Sequence, residues 1–144
     1  MDLNAEIARR RDELAQQRAA DNARREAQHA ATISADRELS EIAHKFILWA
    51  RLSGKDPRSI NVQERTPKGV IPYTLRGWVL HSEEEHDTGW GGHSISFVLL
   101  TDGSFHRIRS QRPELHEEHF SPDGVLNYIV DYILRSGSTV PWPD

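Results

Sequence analysis

The sequence contains no cysteine, and this absence excludes disulfide bonds, thiolate metal ligands and a cysteine nucleophile. The first 30 residues are charged throughout and lack the apolar region of a secretory signal. The longest apolar runs, such as residues 46–50, are far too short to cross a bilayer. These absences are typical of a protein from a reducing compartment, so we predict a cytoplasmic protein without a membrane partner.

A basic excess is also missing from the chain, whose net charge is −4. Residues 1–54 carry nine basic and nine acidic side chains, and residues 55–144 carry nine basic and thirteen acidic ones. General nucleic-acid binders are strongly basic, so this charge argues against a nucleic-acid partner. Glycine-rich phosphate-binding motifs and the nucleophile turn Gly-x-Ser-x-Gly are absent too. We therefore predict no cofactor and no catalytic residue.

Large apolar side chains are scarce at the N-terminal end of the chain. Residues 1–38 hold only five of them, namely Met1, Leu3, Ile7, Leu14 and Ile33. So few cannot build a core, whereas the later part holds nearly all the aromatic side chains. We therefore predict a polar helical arm over residues 1–34, a globular domain over residues 35–137 and a tail over residues 138–144.

The N-terminal arm has the composition of a helix. Residues 3–31 are dominated by Ala, Arg, Glu and Gln, which favour helices, and they contain no Gly or Pro. The apolar stripe of this helix consists of Leu3, Ile7 and Leu14, and we predict that this face contacts a partner helix. Beyond the stripe, alanines recur every four residues and form no heptad, so the pattern does not indicate a strong coiled coil.

A second helix is predicted over residues 35–53, where a wide apolar stripe recurs at helical spacing. Gly54 stands where a left-handed residue ends a helix, and Pro57 follows it. Residues 31–35 are compatible with a bend between two helices and with one continuous helix. Our fold prediction counts two N-terminal helices.

The middle of the chain has the pattern of an antiparallel meander of three or four strands. The Asp102-Gly103 pair is typical of a tight two-residue hairpin turn. This turn would place Leu99 opposite His106, and so it predicts His106 on the apolar face of the sheet. The strand candidates are residues 59–64, 73–81, 94–101 and 104–109.

A C-terminal helix completes the predicted fold. Ser121 is a suitable N-cap, Pro122 suits the first helical position and Gly137 supplies a C-terminal stop. The helix over residues 122–135 is predicted to pack on the sheet. Helices at both ends of a run of strands favour the α+β class over βαβ units.

The predicted loop over residues 82–93 is the first candidate site. Together with His81 it combines three histidines with four acidic side chains, and these groups suit a divalent metal. His81, His86 and His93 are therefore candidate ligands, although a polar solvated loop explains the same composition. Trp90 stands between glycines in this loop and is a candidate anchor for a ligand or partner.

The second candidate site is the sheet face that the predicted hairpin register turns away from the core. This register places Phe105, Arg107 and Arg109 on that face. Arg76 and Trp78 join them if Gly77 leaves the register unchanged. Arginines beside aromatic rings on a sheet can bind a ligand or partner, or stack on bases and contact phosphates of single-stranded nucleic acid.

Three functions follow from these features. The leading hypothesis is a non-enzymatic interaction or adaptor protein, because the arm is too polar to fold alone and needs a protein partner or a second copy. One alternative is a small metal-dependent enzyme or metal-binding domain built on residues 81–93. The other is nucleic-acid binding by the arginine and aromatic sheet face.

Overall fold

The structure, a computed structural model, describes residues 2–85 and 93–144, with the side chain of Glu85 left aside. It confirms the α+β class. Two predicted binding residues, His86 and Trp90, lie outside the described residues. The elements are α1 (Leu3–Leu52), β1 (Arg58–Thr66), β2 (Gly69–Glu85), β3 (His93–Leu100), β4 (Phe105–Arg109) and α2 (Pro122–Ser136).

The N-terminal region forms one helix, α1, so the prediction of two helices is wrong. The chain has no Gly or Pro before Gly54, and the Thr32 hydroxyl donates to the Gln28 carbonyl oxygen at 3.0 Å within the helix. Of the two alternatives left open for residues 31–35, the structure therefore has the continuous helix. The Asp2 carboxylate caps the start by accepting from the Asn4 amide at 3.1 Å.

Two compact units divide the chain, Met1–Arg37 and Glu38–Asp144. The first unit is the arm, a helix with no buried side chain in its described part. The second unit contains the end of α1, the whole sheet and α2. No helix in the described part of the chain has an apolar stretch that could span a membrane.

The sheet is a four-stranded meander in the order β1-β2-β3-β4, and every neighbouring pair is antiparallel, as predicted. The turn between β1 and β2 is closed by the pairing of Thr66 with Gly69. β2 is longer than predicted and continues to Glu85, which pairs with His93. The prediction of a loop is therefore wrong for residues 82–85 and for His93.

The register of the β3–β4 hairpin differs from the prediction by one position. The Gly103 amide donates to the Leu100 carbonyl oxygen at 2.9 Å, and the Leu100 amide donates to the Ser104 carbonyl oxygen at 2.9 Å, which leaves residues 101–103 as a three-residue loop. Gly103 has φ 89°, the left-handed conformation that such a loop requires. Leu99 therefore pairs with Phe105.

This register turns the side chains of β4 to the opposite faces from those predicted. Because directly paired residues share a face, Phe105 lies with Leu99 on the side that carries the helices. Arg107 pairs with Phe97 on that same side. His106 lies on the other face, where it pairs with Val98, so its predicted place opposite Leu99 is wrong.

The core lies on both faces of the sheet. The end of α1 and α2 cover one face, where the largest cluster includes Phe46, Trp49, Trp78, Leu80, Phe97, Leu99, Phe105, Val125 and Ile129. The second cluster consists of Ile60, Val62, Val98, Leu100 and Ile108. These five are buried because the sheet curls and brings its two edges together. The Gln63 amide of edge strand β1 donates to the Pro113 carbonyl oxygen at 2.9 Å, and Pro113 follows the other edge strand, β4.

The last residues of the chain, predicted as a tail, contact this core. The Trp49 indole donates to the Val140 carbonyl oxygen at 3.0 Å. Val140 and Trp142 are partly buried against the helix-side cluster. The buried Trp49 ring thus finds its polar partner in the C-terminal segment.

Candidate functional site

Three strands place charged and aromatic side chains in two parallel rows on the helix side of the sheet. In the first row, Phe97 of β3 pairs with His81 of β2 and with Arg107 of β4. In the second row, Ile95 pairs with Glu83 and Arg109. With Tyr128 of α2 these residues line a cavity of about 240 Å³, which we call the arginine cleft: His81, Glu83, Ile95, Phe97, Arg107, Arg109 and Tyr128.

A β-bulge in β2 turns the side chains of one wall toward the cleft. The register between β2 and β3 shifts between Val79 and His81, which lets Leu80 enter the core while the next side chain also lies on the helix side. The His81 ring stacks on Tyr128, with centroids 4.7 Å apart and planes at 20°. His81 Nε2 lies 2.8 Å from the Glu83 carboxylate, which can only accept when ionised, so this nitrogen donates.

The β4 wall of the cleft is formed by two arginines. The Arg107 guanidinium lies 3.6 Å from the Glu118 carboxylate and 5.6 Å from the centroid of the Phe120 ring. This ion pair and cation–π contact fix the direction of a side chain that is otherwise 42% exposed. Among the described residues, no carboxylate oxygen lies within 4.0 Å of the Arg109 guanidinium.

The floor of the cleft is apolar and rigid. The Phe97 ring is 2% exposed and contacts Tyr128 and Phe120, with centroid distances of 4.8 and 5.0 Å. A second cavity of about 400 Å³ shares both arginines of the β4 wall, and its lining is Arg107, Arg109, Arg112, Glu114, His116 and Glu118. The arginines of β4 therefore line two cavities, with carboxylates at the margins.

The chemistry of the arginine cleft suits the binding of an anion. Planar guanidinium groups match carboxylate and phosphate oxygens, and the aromatic rings offer a surface on which a flat group can stack. His81 is oriented by Glu83, as a general base would be. No serine or threonine is among the described residues that line the cleft, so this imidazole has no hydroxyl nucleophile of that kind there.

The structure brings together three of the predicted site residues, namely His81, Arg107 and Arg109, and separates two others from them. Arg76 donates to the Pro57 carbonyl oxygen at 3.1 Å, away from the cleft. Trp78 is 4% exposed, and its indole donates to the Lys55 carbonyl oxygen at 2.9 Å. Its ring therefore belongs to the core and is not free to stack on a ligand.

The predicted metal ligands are only partly described. His81 contacts Glu83, and His93 stands opposite Glu85 at the ends of β2 and β3. Within residues 2–85 and 93–144, no group of three or more histidine or acidic side chains is placed to hold a metal ion.

Sequence reasoning did not predict the aromatic residues Tyr128, which lines the cleft, and Phe120, which contacts its floor. Tyr128 was overlooked, although it lies three residues after buried Val125 and thus on the stripe of α2 that faces the sheet. Phe120 immediately precedes the N-cap Ser121, and no periodic pattern marks its contact with Phe97.

A chain of polar side chains at the β3–β4 turn superficially resembles a hydrolase triad. The Ser104 hydroxyl donates to the Asp102 carboxylate, and His106 Nε2 lies 2.8 Å from the same hydroxyl oxygen. In a triad the imidazole lies between the acid and the serine, whereas here the serine lies between the other two. The Ser104 amide also donates to the Asp102 carboxylate at 2.9 Å, so this chain is a turn-stabilising motif.

We expect the Ser104→Ala substitution to raise the pKa of Asp102. The hydrogen bond from the Ser104 hydroxyl is the main reason why the pKa of Asp102 lies below its usual value. Because the pKa of Asp102 is lower in the folded than in the unfolded state, its contribution to stability is present above the unfolded pKa and is lost as the pH falls through the folded pKa. An NMR titration of the Asp102 carboxyl carbon measures the shift. Ser110→Ala, which does not contact Asp102, is the control, and an unchanged titration in Ser104→Ala would contradict the assignment.

Comparisons with protein-family models, with curated proteins and with solved structures find no match to this chain. Its function is therefore argued from its own residues.

Proposed function

We propose that this chain is a non-enzymatic cytoplasmic interaction protein that self-associates through its helical arm. The observation that supports this proposal is the exposure of the apolar side chains of the arm. Leu3, Ile7 and Leu14 are 65%, 40% and 53% exposed. An apolar stripe on a helix is stabilised when it packs against another apolar surface, and no described side chain of the arm is buried.

Interactions within the arm stabilise its helix only weakly. Its ion pairs join residues three or four positions apart, such as Glu6 with Arg10 and Glu13 with Arg9. Exposed pairs of this kind contribute only about 0.3–0.5 kcal/mol each. Helical peptides gain most of their stability from packing of an apolar face, so the arm would be strengthened considerably by a partner.

A second copy of the chain is the partner that the charges favour. Residues 1–37 contain as many basic as acidic side chains, and the signs alternate along the arm. Two such arms can therefore lie together without a net repulsion, whereas a strongly acidic or basic partner gains no attraction from a neutral arm. Self-association also pairs each apolar stripe with an identical one, as a symmetric interface requires.

Removing the apolar stripe is expected to abolish self-association. We expect the full chain to show a weight-average sedimentation coefficient that rises with concentration in sedimentation velocity. The variant with Leu3→Ser, Ile7→Ser and Leu14→Ser should remain monomeric at the same concentrations. The control variant with Ala5→Ser, Ala8→Ser and Ala15→Ser loses at least as much helix propensity, but away from the stripe, and should behave like the unchanged chain.

Two outcomes of this experiment would refute the proposal. An unchanged chain that stays monomeric throughout the series excludes a second copy as the partner. Equal self-association of the two variants would show that the interface lies elsewhere on the chain.

A further inference from the structure

We propose that the arginine cleft binds a phosphate monoester, either a free small molecule or a phosphorylated side chain of another protein. The proposal rests on two walls of polar side chains that face each other across an apolar floor. Arg107 and Arg109 form one wall, and His81 held by Glu83 forms the other. The proposal is independent of the role of the arm.

The two arginines are placed to share one anion. They are alternate residues of β4, so their side chains leave the same face about 7 Å apart. At this spacing two guanidinium groups can converge on the oxygens of one phosphate, which accepts paired hydrogen bonds from such forks. The position of Arg107 is already fixed by Glu118 and Phe120, so binding costs this side chain little conformational freedom.

The size of the cleft limits what it can hold. A cavity of about 240 Å³ is below the usual range for drug-sized ligands, and it suits a phosphoryl group with a small adjoining part of its carrier. The floor and end of the cleft are the rings of Phe97 and Tyr128, and the latter stacks on His81. A flat carrier next to the phosphate would therefore contact aromatic surface, which favours an aromatic monoester over inorganic phosphate.

The carboxylates at the margins favour a single dianion over a chain of phosphates. Glu83 lies on one side of the cleft and Glu118 on the other. An extended polyanion entering the cleft would place its further phosphates near these carboxylates, and residues 55–144 are net acidic as well. A lone monoester places its charge between the arginines and extends no further.

The test is a titration of the full chain, followed by amide NMR and calorimetry, with four probes. These are inorganic phosphate, phenyl phosphate, a short peptide that carries one phosphotyrosine, and a dinucleotide without terminal phosphates. We expect phenyl phosphate to bind with at least about tenfold higher affinity than the dinucleotide, since a monoester carries up to twice the charge of a diester. Shifts should concentrate at residues 81–83, 95–97 and 107–109.

Matched variants connect this binding to the cleft. The Arg107→Gln/Arg109→Gln double variant should lose about tenfold or more in affinity for phenyl phosphate. The control double variant Arg58→Gln/Arg76→Gln removes the same charge from exposed positions on the same sheet and should stay within about twofold. Circular dichroism of both variants verifies that each one is folded.

The probes also identify the source of the monoester. If the phosphopeptide binds more tightly than phenyl phosphate, the natural ligand is a phosphorylated protein. If phenyl phosphate binds more tightly, the natural ligand is a small molecule. The proposal is overturned if no monoester binds at 10 mM, about the weakest affinity of interest for a small anion. It is also overturned if the Arg107→Gln/Arg109→Gln variant binds as well as the control, or if the dinucleotide binds as tightly as phenyl phosphate. The last result would assign the surface to single-stranded nucleic acid.

Discussion

Replacement of Phe46 by alanine is expected to lower the free energy of unfolding of the domain by about 3–5 kcal/mol, the usual cost of removing a buried aromatic ring. The Phe46 side chain is 0% exposed. Its ring centroid lies 5.6 Å from Trp49, 5.6 Å from Trp78 and 5.4 Å from Tyr132. The substitution therefore removes contacts of α1 with the sheet and with α2 at once. Chemical denaturation followed by tryptophan fluorescence measures the effect.

Leu48 provides the control for this experiment. It lies two residues further along α1 and is 39% exposed, so Leu48→Ala should cost less than about 1 kcal/mol. The comparison tests whether the end of α1 is part of the domain core. Similar small losses for the two variants would mean that the helix end is not packed as described.

The second large effect is expected from Gly77→Ala. Gly77 lies in β2 and pairs with Leu100 on one side and Arg58 on the other. A Cβ atom at this position would overlap the Leu99 carbonyl oxygen and lie 3.0 Å from the Leu100 Cα atom. Because the obstacle is backbone, the two strands must separate, and we expect a loss of about 3 kcal/mol in the free energy of unfolding, at the upper end for overpacking.

Thr74→Ala is the control for Gly77→Ala, because it places alanine at an exposed position of the same strand. Its cost should stay below about 1 kcal/mol, the range of strand propensities. Thermal unfolding monitored by circular dichroism would compare the two variants. A Gly77→Ala protein as stable as Thr74→Ala would show that β2 and β3 are further apart here than described.

Local signals in the sequence were sufficient to predict the elements with clear boundaries. Ser121 and Gly137 enclose α2 as predicted, since the Ser121 hydroxyl accepts from the Gly124 amide at 3.0 Å and Gly137 has φ 67°. The failure to predict a continuous α1 has a different cause. No Gly or Pro stands before Gly54, but composition alone does not distinguish one continuous helix from two helices joined at residues 31–35.

The register of the β3–β4 hairpin could not be predicted from its turn residues. Asp102-Gly103 suits a two-residue turn and also a three-residue loop in which the glycine is left-handed. One position of difference moves every side chain of β4 to the other face of the sheet. The prediction that Arg107 and Arg109 lie on one face of the sheet is unaffected by this error, because alternate residues of a strand share a face in any register. Their neighbours were predicted incorrectly, so Tyr128 and His81 were not expected beside them.

The continuity of α1 has a consequence for how the arm becomes ordered. Forming the first turn of a helix is the costly step, whereas each later residue adds a hydrogen bond for little loss of freedom. The packed segment that contains Phe46 supplies an existing turn from which the helix can extend toward its beginning. The arm thus avoids the nucleation step, and we expect its helical hydrogen bonds to open first near residue 3.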